Sequence, residues 1–458
     1  MRALNRLGAA FALSCLSMVT ITLLLPRSRV STKLQKIALG VSMDDYVPDL
    51  WRWASGDQSG VEDGIRLVVF GDSWADSTVH VGAETKGLNW VDVLCEEINC
   101  TSHVNFAVSQ PPQSHPAAPA TGALTSNTLY LQALNSFLPR TSSYLPGPSE
   151  LLPDLEAQIE KYLALPASRF KPKETIFVIS FGAWDIYHFS GLDFKLSERL
   201  VDVVIHNLFE QIDKLYNRYR AELIGTDSAG QRLNITDPAP FRIIVPRLFD
   251  TTLLPGWSAQ RPVPLTPSSV AEQQKNAVYL TTRWNAKMES KIAGWIKNDT
   301  LPPPATAKAG KDVKEEPKDE ARDNNTSPTD DASEPEVEPI TVPKDAFYYD
   351  IARYLTDAIL EYQLAETGIS DAAGLGTKGT SFESVALPCV LSSADDDPRE
   401  GDTEVNGLLV CRNPAGYLFW DDFRLGPTAN EQIGSGVAQY VLTGRTVRQI
   451  WKAGKVHG

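Results

Sequence analysis

The sequence predicts an α/β fold: a mainly parallel sheet covered by helices on both faces, a three-layer α/β/α sandwich. Three observations predict it. Short, nearly continuous apolar runs recur at Ile65 to Phe70, Val104 to Val108, Thr175 to Phe181, Phe241 to Val245 and around Phe347. Runs without polar alternation are those of strands buried on both faces. Between most of them lie stretches with apolar residues at helical spacing, and that alternation is the signature of parallel strands joined by crossover helices. Finally, the first run breaks at Gly71 and is followed at once by Asp72, Ser73 and Asp76. Ligand crevices of open parallel sheets lie beyond the carboxyl ends of the strands, where Ser73 would sit.

The chain has 458 residues, enough for one large domain or two to three small ones, and a formal net charge of −14. That charge argues against nucleic acid as a partner. The first residues are basic, and Leu7 to Leu25 is uncharged and apolar. As a helix this run is long enough to span a hydrocarbon core. Residues 1–29 therefore read as an N-terminal signal anchor, or alternatively as a cleaved signal peptide. In the first case this segment is the contact with the membrane. Basic residues on both sides of the run leave its orientation open. Residues 30–60 read as a stem that carries Trp51 and Trp53, and residues 61–458 as one domain.

Within the domain, Gly71 permits the tight turn that lifts Ser73 out of the sheet edge. A hydroxyl there, beside backbone N–H groups, is a candidate nucleophile. Asn89 to Ile98 has helical spacing in Trp90, Val93, Leu94 and Ile98. Residues 111 to 147, rich in Pro, Ser, Thr and Ala, read as a long irregular excursion, either a site cover or surface decoration. Ser149 to Ala164 reads as a helix capped by Ser149. The strand Thr175 to Phe181 stops at Gly182-Ala183-Trp184-Asp185. A long helix follows, with Leu200, Val204, Leu208, Ile212, Leu215 and Tyr219 on its buried stripe. Another spans about Ala271 to Ile296 and carries Val278, Trp284, Met288, Ile292 and Trp295. Residues 301–345 are rich in proline and acid and hold no aromatic residue. Such a segment buries too little apolar surface to offset its ordering entropy, and it reads as a disordered acidic insertion. Ile351 to Tyr362 is the next helix, and a terminal helix runs through Val441.

Four of the five cysteines fall into local pairs, Cys95 with Cys100 and Cys389 with Cys411. They read as two disulfides, the alternative being buried free thiols. Asn99, Asn234, Asn298, Asn324 and Asn325 each head an N-glycosylation pattern. Together these place the domain in the secretory pathway, luminal or extracellular, and either membrane-anchored or secreted. Neither a Cys-x-x-Cys nor a His-x-x-x-His spacing occurs, so no metal site and no cofactor is expected.

The ordered blocks resemble the GDSL, or SGNH, hydrolases. These are ester hydrolases of flavodoxin-like α/β/α fold that act on lipids, acetylated sugars and similar esters. Phe70-Gly71-Asp72-Ser73 with Asp76 is similar to the nucleophile block. Asn105-Phe106-Ala107-Val108 is similar to the lead-in of the second block. The Leu155-Glu156-Ala157-Gln158-Ile159 helix and Phe177 to Asp185 are similar to the third block and its preceding helix. Cys411 to Pro414 with Tyr417 to Thr428 is similar to the last block. The resemblance implies Ser73 as nucleophile and Asp421 as catalytic acid. It implies Ser109, Gly182 and Trp184 as oxyanion or pocket positions.

Three positions depart from the pattern. Ser109 or Gln110 stands for a glycine, Trp184 for the oxyanion asparagine, and Arg424 for the histidine base. Arginine stays protonated and accepts no proton. Three residues from Asp421 it can instead form a salt bridge. His188 and His80 are the alternative bases, and His206, off its helix stripe, reads as solvated. Two function classes follow. One is a serine ester hydrolase, weak on simple esters, whose substrate is a small-molecule, lipid or glycan ester. The other is a pseudoenzyme that binds a glycan, lipid or protein partner without turnover.

Overall fold

Apolar runs that are buried on both faces need neighbours on both edges, and these runs supply one another. In the computed structural model the described residues are 64–77, 87–110, 121–137, 151–166, 172–223, 238–261, 269–297, 342–369, 380–392, 399–405, 408–444 and 446–449. The segments 1–29 and 30–60, Trp51, Trp53, His80, and the patterns at Asn234, Asn298, Asn324 and Asn325 lie outside them. No described helix is long and apolar enough to cross a membrane.

The first strand, β1 (Ile65–Gly71), leads to α1 (Trp90–Glu97). Asn89 caps α1 through the Val91 N–H, and Asp92 reaches back to the Asn89 N–H, so two orphan donors are satisfied reciprocally. β2 (Ser102–Asn105) starts and ends earlier than the apolar run Val104 to Val108 suggested. Asn105 ends it, because its side-chain oxygen takes the Ala107 N–H at 2.9 Å in a local turn. The expected irregular excursion is partly ordered. A two-stranded ribbon joins β3 (Ser109–Gln110) to β4 (Thr121–Gly122), and α2 (Asn127–Phe137) follows. Its buried Tyr130, Ala133 and Leu134 recur at helical spacing inside a composition that reads as loop.

α3 (Leu155–Leu163) is shorter than expected. Its cap is Asp154, which accepts from the Ala157 N–H, while Ser149 lies outside the described residues. Pro153 disfavours helical geometry just before it. After β5 (Glu174–Ser180) the expected single helix is two, α4 (Ala183–Phe189) and α5 (Phe194–Leu223). The predicted stripe of α5 is buried throughout. β6 (Phe241–Pro246) leads to α6 (Pro255–Gln260) and α7 (Val270–Lys297). In α7, Trp284, Met288, Ile292 and Trp295 are buried as expected, whereas Val278 is 43% exposed and Leu280 is buried in its stead. β7 (Lys344–Tyr349) begins inside the stretch assigned to the acidic insertion, and Val342 is already buried. α8 (Ile351–Glu366) follows. The Cys389–Cys411 segment holds a small antiparallel sheet of β8 (Val390–Ser392), β9 (Thr403–Val405) and β10 (Leu408–Val410). α9 (Pro427–Leu442) closes the described fold. Both cysteine pairs stand at disulfide distance, with Cα atoms 5.0 Å and 4.9 Å apart.

The central sheet runs β2-β1-β5-β6-β7, and every pairing in it is parallel. Counting only these strands in chain order, this is the flavodoxin-like order, with its switch point between β1 and β5. Register puts Val68, Phe177 and Ile243 on one face. There Phe70 and Phe177 meet Tyr162 of α3, and Phe241 meets Tyr219 of α5 and Trp295 of α7. Phe347 points the other way and meets Tyr440 of α9. α1 lies in that second layer, its Trp90 N–H held by Asn430 of α9 at 3.1 Å. Helices thus cover both faces of the sheet.

One buried side chain fixes the end of β1. Gln158 of α3 accepts from the Gly71 N–H at 2.9 Å and donates to the Gly71 and Pro153 carbonyls at 3.0 Å each. Gln158→Leu leaves the Gly71 N–H and the Pro153 carbonyl unpaired in the core. We expect a loss of about 2–4 kcal/mol in equilibrium urea unfolding. An unchanged midpoint would show that Gly71 does not depend on this amide.

Candidate active site at the carboxyl edge of the sheet

The last register pair between β1 and β5 is Gly71 with Ser180, and the Asp72 N–H reaches the Ser180 carbonyl at 3.1 Å. Beyond this pair the chains diverge. On the β1 side, Ala75 and Asp76 donate N–H groups to the Asp72 carbonyl, forming one helical turn. The Asp72 carboxylate accepts the Trp74 N–H at 3.0 Å. The turn is held from α1 by Asn89 and Trp90, which both donate to the Trp74 carbonyl. Asn105 at the end of β2 donates to the Ala75 carbonyl at 2.7 Å. Ser73 is therefore presented by a turn clamped from three elements.

On the β5 side, Gly182 has φ of +118°, a conformation that side-chain-bearing residues rarely adopt. A Cβ there would also press into Trp284 and Leu248. Gly182 thus redirects the chain into α4 and aims Trp184 back across the crevice. The Trp184 indole Nε1–H donates to Ser73 Oγ at 2.9 Å. Ser73 and Trp184 are 2% and 3% exposed, so this bond is buried. Gly122 of β4 lies against the indole, where a Cβ would overlap Nε1. Opposite Gly122 in the ribbon stands Ser109, whose hydroxyl donates to Asp76 at 2.5 Å. The three predicted pocket positions are thus gathered around the Ser73 turn.

The last block reaches the same place through Phe423, whose ring lies 4.6 Å from that of Trp184. Phe419 and Leu425 bridge, and Trp420 N–H bonds the Arg424 carbonyl, so residues 419–425 form a closed turn. Inside it, Asp421 accepts from the Phe423 and Arg424 N–H groups at 3.0 and 2.9 Å. Its other oxygen takes Arg424 Nε and Nη2, each at 2.6 Å. Four donors of its own turn occupy this carboxylate. The salt bridge anticipated from the spacing is present, and both side chains are buried.

His188 is not brought to the serine. Its Nδ1 faces the Tyr130 hydroxyl at 3.4 Å, and its ring is 6.1 Å from the Trp184 ring. No hydrogen bond joins it to Ser73 among the described residues, and burial pushes its imidazole down to about 4. His206 is exposed, as its place off the stripe suggested. Sequence reasoning passed over Asp185, although it closes the third block. It is buried and accepts the Thr125 N–H and hydroxyl. Burial pushes Asp185 up to about 7, and burial pushes Asp72 up to about 8, with the Asp185 and Asp76 charges adding to the latter. A cavity at this edge, between Asp72, Trp74, Leu248 and Phe249, measures about 20 Å³. That is water-sized, far below the hundreds of Å³ of a ligand pocket.

Asn99 is exposed and has φ of +52° in the turn that its neighbour Cys100 closes with Cys95. Among the described residues no group of three His, Cys, Asp or Glu could hold a metal ion. Compared with known proteins, the chain matches no protein-family model and no curated protein.

The raised Asp72 value has a consequence for stability. Between its ordinary value of 3.8 and about 8 the folded protein keeps a proton that the unfolded chain loses. Stability from this group is complete below the lower value and is lost as pH rises through the upper one. Asp72→Asn keeps the acceptor for the Trp74 N–H and removes the ionisation. Urea unfolding at pH 5 and pH 8 should give a smaller fall for Asp72→Asn than for the wild type. Equal falls would show that Asp72 ionises freely in the fold.

Proposed function

We propose that the chain is an SGNH-type serine ester hydrolase with low turnover, acting on a carboxylic ester of a lipid, glycan or small molecule. The observation that carries this reading is the buried bond from Trp184 Nε1 to Ser73 Oγ across the switch point. It sets a hydroxyl and an N–H donor side by side where open parallel sheets bind ligands. In acyl transfer the hydroxyl attacks the ester carbonyl, and a donor is needed at the oxyanion that develops. The indole N–H supplies that donor type in place of an amide. Among the described residues no imidazole is hydrogen-bonded to Ser73, and without a proton acceptor the hydroxyl is a weak nucleophile. The working place is the secretory pathway, which the two cysteine pairs at disulfide distance support.

The second reading is a pseudoenzyme that binds a glycan, lipid or protein partner at this edge. Asp421 favours it. A carboxylate that must orient a base is here taken up by Arg424 and its own turn.

Initial rates on acetyl and butyryl p-nitrophenyl esters separate the two. The wild type should run about 10³-fold or more below a complete triad, yet above Ser73→Ala. Arg424→His alone should recover little, because the larger Trp184 indole still stands at the asparagine position with its N–H on Ser73 Oγ. Arg424→His with Trp184→Asn should exceed either single change, since such groups act as a unit. A melting curve for each variant is needed, because removing Arg424 leaves Asp421 buried without its ion-pair partner. Wild-type rates equal to Ser73→Ala favour the pseudoenzyme. Brisk wild-type turnover abolished by Ser73→Ala overturns it, and His80 and then His188 become the bases to mutate.

A further inference from the structure

We infer that Trp184 is the gate of the Ser73 site, so that a ligand or reagent reaches Oγ only when the indole is displaced. The inference rests on reading Ser73 as the functional position, but not on its being catalytic.

Two observations carry it. Ser73 is almost wholly buried, and its hydrogen-bond partner among the described residues is the indole itself. The indole also sits in a slot built for it. Gly122 leaves out the one carbon that would overlap Nε1, while Phe423 and Tyr187 pack on the ring at 4.6 and 5.2 Å. Gly122 does not have a positive φ, so a side chain there is barred by the indole and not by the backbone.

The test reads access without asking for catalysis. Ser73→Cys is made in the full chain and treated with methyl methanethiosulfonate under non-reducing conditions. The thiolate attacks the reagent sulfur, a mixed disulfide forms, and methanesulfinate leaves. Mass spectrometry of the peptide containing position 73 gives the rate, separate from the native cysteines.

We expect slow labelling of Ser73→Cys alone. Adding Trp184→Ala should raise the rate about a hundredfold, since opening no longer has to break the ring's packing. Adding Trp184→Phe, which keeps a ring but loses the N–H, should raise it only the severalfold that one hydrogen bond is worth. Adding Gly122→Ala, with Trp184 intact, should raise it at least about tenfold by pushing the indole out. This last variant guards against a Trp184→Ala protein that is simply unfolded, provided it still melts cooperatively. Labelling of Ser73→Cys as fast as that of the Trp184→Ala double variant overturns the gate. So does a Gly122→Ala double variant no faster than Ser73→Cys. If the gate holds while no variant with Ser73 intact hydrolyses esters, the gate stands and the hydrolase reading falls.

Discussion

The site depends on one constraint, the parting of β1 and β5 after their last register pair. Up to Gly71 and Ser180 the two strands share a ladder. Beyond it, one chain turns toward α1 on one face of the sheet, and the other enters α4 and α5, of which α5 covers the opposite face. Two adjacent parallel strands whose connections leave to opposite sides must open a crevice between them. Ser73 and Trp184 are among the first residues past that point. Their meeting at 2.9 Å follows from the topology together with two glycines. Gly71 packs against Ala75 and Ser180 with no room for a Cβ, and Gly182 takes a left-handed turn. Gln158 completes the arrangement by accepting the Gly71 N–H and by sharing the Gly71 carbonyl with the Val108 N–H just past the short β2.

Burial then decides the electrostatics of this edge. Asp72, Asp76 and Asp185 are all buried near the Ser73 turn. Carboxylates removed from water favour their neutral form, and Asp72 and Asp185 are pushed up to about 8 and about 7. Their hydrogen bonds are structural: Asp72 caps its own turn, and Asp185 holds Thr125. A neutral acid here stabilises the turn but supplies no counter-charge for an imidazolium. Asp421, by contrast, is matched to Arg424 in a dry corner, where four hydrogen bonds satisfy it. Removing one partner of such a pair is far costlier than the pair is worth as a stabiliser. The corner is therefore locked to this residue combination.

Much of this was legible in the sequence, for physical reasons. Fully buried parallel strands announce themselves as unbroken apolar runs, so β1, β5 and β6 and the residues just past them could be placed. The Asp421–Arg424 pair was legible because it is local, three residues apart. What failed to show was long-range or hidden by composition. Gln158 reads as an ordinary polar helix residue until Gly71, distant in the chain, is brought against it. The indole's bond to Ser73 needs the Gly182 turn, whose left-handed φ no pattern of apolar residues reveals. α2 was missed because its apolar spacing sits inside a stretch rich in Pro, Ser and Thr. The start of β7 was missed because Lys344 and Asp345 look like the acidic segment before them, although the ladder with β6 begins there.

Two of the positions that depart from the resembled pattern, the oxyanion donor and the base, differ in opposite senses. Trp184 exchanges one N–H donor for another. The donor type is kept, on a larger and stiffer ring whose N–H is turned to Ser73 Oγ. Arg424 exchanges a group that donates and accepts for one that only donates. The first change alters size and access, while the second removes a direction of proton flow. A hydrogen-bond donor survives at the first position, and a proton acceptor does not survive at the second. A side chain other than Arg424 has to accept the Ser73 proton if the ester bond is to break quickly. Among the described histidines, His188 is turned toward Tyr130 and held neutral by burial. Its imidazole can accept a proton, yet the indole of Trp184 lies next to it and holds the serine. Swinging that indole aside would release Ser73 Oγ from its present donor.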